Sequence, residues 1–136
     1  MSQLENKVAL ILGGAGNVGE GIVRAFLKAG AIVAVPSRKV EKLEELRTYL
    51  GELAQGDRFI PIVGEIGQID SAESIRDQLL KQFGRLDAVV ASLGGWWLGN
   101  RPLTEVSIAE WQQYLDSNRT YATGTARSEF NSTKVL

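Results

Sequence analysis

Short apolar runs alternate with longer stretches of mixed polarity along this 136-residue chain. The runs at residues 8–12 (VALIL), 31–35 (AIVAV), 58–63 (RFIPIV) and 86–91 (LDAVVA) are nearly continuous in apolar character. That predicts four strands buried on both faces. Between the runs the apolar positions space out. Val18, Ile22, Val23, Phe26 and Leu27 recur at helical intervals, and Gly30 follows as a C-terminal cap. Val40, Leu43, Leu46, Leu50 and Leu53 mark one face of a second helix, its end blurred by Gly51 and Gly56. Ile75, Leu79 and Phe83 line a third, opened by the capping box Asp70-x-x-Glu73 and closed by Gly84. Ile108, Trp111 and Leu115 predict the inner face of a fourth, with Trp111 in the core. Ser107-x-x-Glu110 caps its start, and it continues past Asn118 toward Ala126. Pro36-Ser37-Arg38 is expected to interrupt the second strand, and Pro61 suits the third only at a sheet edge, since proline has no amide donor. Residues 127–136 are polar and aperiodic, a tail expected to be disordered or non-native beyond a domain spanning 1–126.

Strand and helix alternate with short connections, which predicts an α/β fold: a parallel sheet, doubly wound, with right-handed crossovers. The expected strand order is 3-2-1-4 over about four strands. Its focus is the stretch 7–21, KVALILGGAGNVGEG, where Gly13, Gly16 and Gly19 stand three apart between a strand and a helix. A dinucleotide pyrophosphate needs that context. One glycine permits the tight turn, the next lets backbone approach the phosphates, and the third lets helix pack on strand. Asn17 and Val18 open the helix, whose free N–H groups and partial positive charge favour an anion.

Composition narrows the function. Fifteen glycines suit tight turns, and 44% hydrophobic with 23% charged residues is the balance of a globular chain. A net charge of −1 without a basic block makes nucleic acid a poor partner. No apolar run approaches the ~20 residues that span a bilayer, and the opening MSQLENK is no signal peptide, so the expectation is no membrane and a cytoplasmic location. With neither cysteine nor histidine, disulfides, the usual zinc and transition-metal sites, and Ser-His or Cys-His nucleophile pairs are excluded, and no metal site is expected.

From residue 7 to about 125 the chain resembles the short-chain dehydrogenase/reductase family, whose members open with this strand, glycine turn and helix on a Rossmann-like sheet. The family's usual threonine falls on Leu12, and the glycine spacing resembles its extended or atypical branches. Its acidic residue after the third strand, which reads adenine, matches Glu65, with Ile66 beside it. Its Asn-Asn-Ala-Gly falls on Ala91-Ser92-Leu93-Gly94, where the glycine alone is kept. The helix WQQYLDSNRTYATG is similar to the family's segment bearing an active-site asparagine, which would be Asn118. The family's Tyr-x-x-x-Lys pair is absent: Tyr49, Tyr114 and Tyr121 are followed four residues on by Leu53, Asn118 and Thr125. The resemblance thus implies an incomplete, N-terminal half of such an enzyme, inactive alone, with a fourth strand left as an open edge and a tendency to self-associate. It also implies homo-oligomers.

The cofactor candidates are Gly13, Gly16, Asn17, Val18 and Gly19 for the phosphates, and Ser92 and Gly94 for a ribose. No acid stands at the end of the second strand, where it would grip an NAD ribose. Arg38, aided by Ser37, suits a 2′-phosphate instead, which favours NADP(H) over NAD(H). Trp96 and Trp97 suit either a substrate pocket or an apolar anchor. The leading expectation is an NADP(H)-dependent oxidoreductase moving hydride to or from a carbonyl or alcohol substrate. A non-catalytic NADP-binding sensor is the alternative. A nucleoside-cofactor methyltransferase would want an acid where Arg38 stands, and no Gly-Lys-Ser/Thr marks a P-loop.

Overall fold

A computed structural model describes residues 2–65, 69–94, 100–127 and 134–135, the side chains of 69, 119–127 and 134–135 excepted. Strands β1 (Val8–Leu12), β2 (Ile32–Ser37), β3 (Phe59–Val63), β4 (Ala88–Ala91) and β5 (Lys134–Val135) form one parallel sheet in the order β3-β2-β1-β4-β5. The expected order 3-2-1-4 is present. Lys134–Val135 adds two residues beside β4, pairing with Ala88 and Val89, so part of the expected tail covers part of the expected open edge.

Helices α1 (Asn17–Lys28), α2 (Val40–Leu50), α3 (Ile69–Phe83) and α4 (Ile108–Arg127) connect the strands, with a 3₁₀ turn at Gly51–Ala54. Because successive strand residues face opposite sides, each apolar strand feeds two cores. Ile11, Val33 and Val35 pack with Val23 and Leu27 of α1 and Leu43 and Leu46 of α2. Val8, Leu10, Leu12 and Ala34 pack on the other side with Ile75 and Leu79 of α3. The end of α1 is closed at Gly30, whose φ of +91° lets its N–H reach Leu27 O while Ala31 N–H reaches Phe26 O.

Four details depart from the sequence expectations. First, β2 runs through Pro36, fully buried, to Ser37. Ile32 N–H donates toward β1, to Lys7 O, and Val33 N–H toward β3, to Arg58 O. The alternation aims position 36 at β1, and the β1–β2 register ends at the preceding such pair, Leu10 with Ala34. Proline therefore does not break β2; it ends its ladder with β1. By the same count Pro61 of β3 faces outward on an edge strand, where no donor is missed. Second, β4 begins at Ala88 rather than residue 86. Third, α3 begins at Ile69, so Asp70 lies in its first turn and complements the helix dipole rather than capping it.

The fourth departure is the face of α4. Its start is the expected capping box, Ser107 N–H to Glu110 Oε2 at 2.8 Å and Glu110 N–H to Ser107 Oγ at 3.2 Å. Arg101, then this cap, holds the Glu110 carboxyl down at about 2. The stripe expected inside is exposed, however: Ile108 is 87%, Leu115 54% and Trp111 37% accessible. Tyr114 and Asn118 are half-buried, as are the polar Glu110, Asp116 and Ser117. Trp111 is thus not core; it meets Tyr114 edge-on.

At the end of the sheet opposite the glycine turn, Asp87 ties β4 to β1. Its carboxylate accepts the Val8 N–H at 2.8 Å and two Arg85 guanidinium bonds at 2.8 and 2.7 Å. The Arg85 bonds lower its pKa, burial opposes them, and the Val8 bond adds to the lowering. A depressed folded pKa stabilises above the unfolded value of about 3.9 and loses that stability as pH falls below it. Asp87→Asn is expected to cost about 1–2 kcal/mol at neutral pH. In urea titrations from pH 6 to 3, the variant's stability should fall less steeply at the acid end than the parent's.

Candidate functional site

Beyond the carboxyl ends of the strands, the chain turns away from β1 at Gly13. Its φ is +77°, and a Cβ there would overlap the Ser92 carbonyl that follows β4. A Cβ at Gly19 would overlap the Gly13 carbonyl oxygen, so the first turn of α1 lies directly on the turn. Gly14, which the sequence did not single out, is also constrained, though by side chains rather than backbone: its Cβ would come within 2.9 Å of Val23 Cγ2 and Val35 Cγ1. The adjacent Gly13-Gly14 pair was the available signal. Gly16 differs. It caps α1 without a side-chain hydrogen bond, its N–H reaches Gly13 O, and its face is exposed. Of the three spaced glycines, two are filled around by protein and the middle one is turned outward. Asn17 and Val18 follow it, exposed, in the helical turn whose N–H groups lack intrahelical acceptors.

A crevice of about 450 Å³ opens between these elements. One wall is Gly13, Ala15 and Gly16; the other is Pro36, Ser37, Arg38, Lys39 and Lys42; Glu65, Leu93 and Gly94 complete it. It sits where the strand order reverses, with β2 and β3 on one side of β1 and β4 on the other. Ligands bind open α/β sheets at such points. The missing Pro36 N–H is part of the reason the gap is there, because β1 parts from β2 while Ser92 N–H still bonds Leu12 O on the β4 side.

Of the expected residues, Gly13, Gly16, Ser37, Arg38, Glu65 and Gly94 line this crevice, and Lys39 and Lys42 stand with them. Ser37 Oγ is engaged locally, accepting the Lys39 N–H at 3.2 Å. Arg38 Nη1 pairs with Glu65 Oε2 at 3.5 Å, joining two residues that the sequence suggested for separate tasks. Lys42 bonds Glu45 at 3.0 Å. Lys39 and Lys42 were missed, although both stand within one helical turn of Arg38. Ser92 is half-buried beside the Gly13 turn. Asn118 does not line the crevice; its Nδ2 donates to Tyr114 O at 2.8 Å, and its Oδ1 lies 3.7 Å from where a Gly94 Cβ would stand. Ile66, Trp96 and Trp97 lie outside the described residues. Among the described residues no cluster of acidic side chains is arranged for a metal ion, and no helix is long and apolar enough to cross a membrane.

A family model described as short chain dehydrogenase matches residues 7–129. A cis-2,3-dihydrobiphenyl-2,3-diol dehydrogenase of Rhodococcus globerulus is 35% identical over 94 residues, 69% of this chain and 32% of that one. Among solved structures, a short-chain type dehydrogenase/reductase from Mycobacterium marinum has a TM-score of 0.74 at 26% identity, over 95% of this chain and 51% of that one. The Pseudomonas aeruginosa RhlG/NADP active-site complex has a TM-score of 0.72 at 26% identity, over 92% and 47%. The matched region is about a third of the length of such curated relatives and about half of the solved chains.

The glycines should separate on substitution. Gly13→Ala and Gly19→Ala drive a methyl into backbone and are expected to cost at least ~3 kcal/mol. Gly16→Ala meets only the Gly13 oxygen, at 3.3 Å. It should stay within ~1 kcal/mol of the parent. Thermal melts of the three variants check this ranking.

Proposed function

Because this chain belongs to the short-chain dehydrogenase family, we propose that its crevice holds NADP(H) and that it forms the cofactor-binding part of an oxidoreductase. The observation that carries the proposal is the wall after β2, where Arg38, Lys39 and Lys42 stand and no acid follows the strand directly. An acid there would accept the ribose 2′-hydroxyl of NAD and repel a 2′-phosphate; a guanidinium does the reverse. The residues fit the group. The outward face of Gly16 leaves room against the backbone, and the open start of α1, with Asn17 and Val18, suits the pyrophosphate.

When bound, the nicotinamide supplies or accepts the hydride for a carbonyl or alcohol carbon. The chain's own residues bind and orient. Ser37 and Arg38, with the two lysines, hold the 2′-phosphate, and Glu65 accepts from the adenine amino group with Ile66 beside it. Ser92 and Gly94 bring backbone to a ribose. Asn118 takes the active-site asparagine's place midway along α4, where its side chain holds the Tyr114 carbonyl and borders Gly94. The RhlG complex with NADP, a relative in structure, supports this choice of cofactor, and the diol dehydrogenase supports a hydroxyl-bearing small molecule as substrate. The 136 residues contain no Tyr-x-x-x-Lys to exchange a proton with such a substrate. We therefore expect the chain by itself to bind cofactor without turning substrate over.

Calorimetric titration tests the reading. NADPH should bind at least about tenfold tighter than NADH, and Arg38→Gln should remove most of that margin while leaving NADH within about twofold. Equal affinities in the parent, or tighter NADH, would contradict it. Mixing the chain with NADPH and simple ketones should give no loss of absorbance at the nicotinamide band.

A further inference from the structure

Arg38 follows β2 and Glu65 follows β3, and the two meet at the crevice with Arg38 Nη1 3.5 Å from Glu65 Oε2. We infer that Glu65 is a specificity-determining residue of this crevice: as the counter-charge of Arg38, it lowers the preference for a 2′-phosphorylated dinucleotide. The inference rests on the reading of Arg38 given above.

The sign follows from charge alone. A 2′-phosphate brings a second anion to a guanidinium that already faces a carboxylate. If Arg38 leaves Glu65, the ion pair is lost; if its five donors serve both, carboxylate and phosphate are held close and repel. Either way NADPH binding is penalised. The neutral 2′-hydroxyl of NADH carries neither cost and can donate to a carboxylate.

The size follows from exposure. The two side chains are 66% and 40% accessible, so water screens the pair and the effect is a few-fold rather than orders of magnitude. Lys42 pairs with Glu45, one helical turn away and outside the crevice lining, so among the described lining residues Glu65 is the one carboxylate. A contact between Glu65 and adenine does not confuse the comparison. Adenine is common to both cofactors, so that term cancels in the ratio of their dissociation constants.

The experiment measures Kd for NADPH and NADH with the full chain, with Glu65→Gln, with Arg38→Gln and with the double variant. Glu65→Gln is expected to raise the ratio Kd(NADH)/Kd(NADPH) about threefold, and the gain should vanish on the Arg38→Gln background. Glu65→Ala, which leaves no amide beside Arg38, should move the ratio the same way. An unchanged or lower ratio in both Glu65 variants, or a gain that persists without Arg38, would overturn the inference. If Arg38→Gln weakens NADPH while the Glu65 variants leave the ratio unchanged, the 2′-phosphate reading stands and Glu65's role falls. If Arg38→Gln leaves NADPH affinity unchanged, both fall.

Discussion

Three pieces of backbone meet at Gly13: the end of β1, the first turn of α1 at Gly19, and the Ser92 carbonyl after β4. Their closeness is a steric constraint with little slack, since a single Cβ at Gly13 or Gly19 would overlap main-chain atoms. Because these segments carry no side chains at the contact, α1 starts hard against the sheet and its N-terminus is aimed over the strand ends. Gly14 extends the same constraint into the core through Val23 and Val35. The crevice owes its floor to this packing. Its position is then fixed by topology, because the chain leaves β1 toward β2 and β3 on one side and returns as β4 on the other.

The second constraint is a missing hydrogen. Pro36 continues β2 in register with Ile62 of β3 yet has no N–H to offer β1. The sheet therefore stays closed between β2 and β3 and parts between β2 and β1. Arg38, Lys39 and Lys42 follow that parting directly, so the basic residues stand across from the glycine turn rather than over the sheet face. The basic side chains on one wall thus face the open glycine turn on the other, across the gap that Pro36 leaves beside β1.

Much of this was legible in the sequence. The apolar runs at 8–12 and 31–35 fall on β1 and β2, which are buried on both faces, and that burial shows as unbroken hydrophobicity; β3 at the edge is only partly buried, with Val63 exposed. Gly30 and the Ser107–Glu110 box act locally, through bonds to residues close in sequence, and were readable for that reason. Failures came where the deciding partner is remote. Whether Pro36 breaks a strand depends on which neighbour its nitrogen faces, which is a property of the whole sheet. Periodicity gave α4 an apolar stripe but not its surroundings, and Ile108, Trp111 and Leu115 face outward. The Arg38–Glu65 pair joins residues 27 positions apart, as their numbers show, and only the β2–β3 register brings them together.

We propose that one crevice, bounded by the glycine turn and the basic residues after β2, receives a 2′-phosphorylated dinucleotide. The most direct measurement is a ¹H–¹⁵N correlation map of the chain titrated with NADPH. The largest amide shifts are expected at Gly13, Gly16, Asn17, Ser37, Arg38 and Gly94, with 2′,5′-ADP reproducing those at Ser37 and Arg38. Shifts centred on the exposed α4 stripe, or none at Gly16 and Arg38 at saturation, would contradict it.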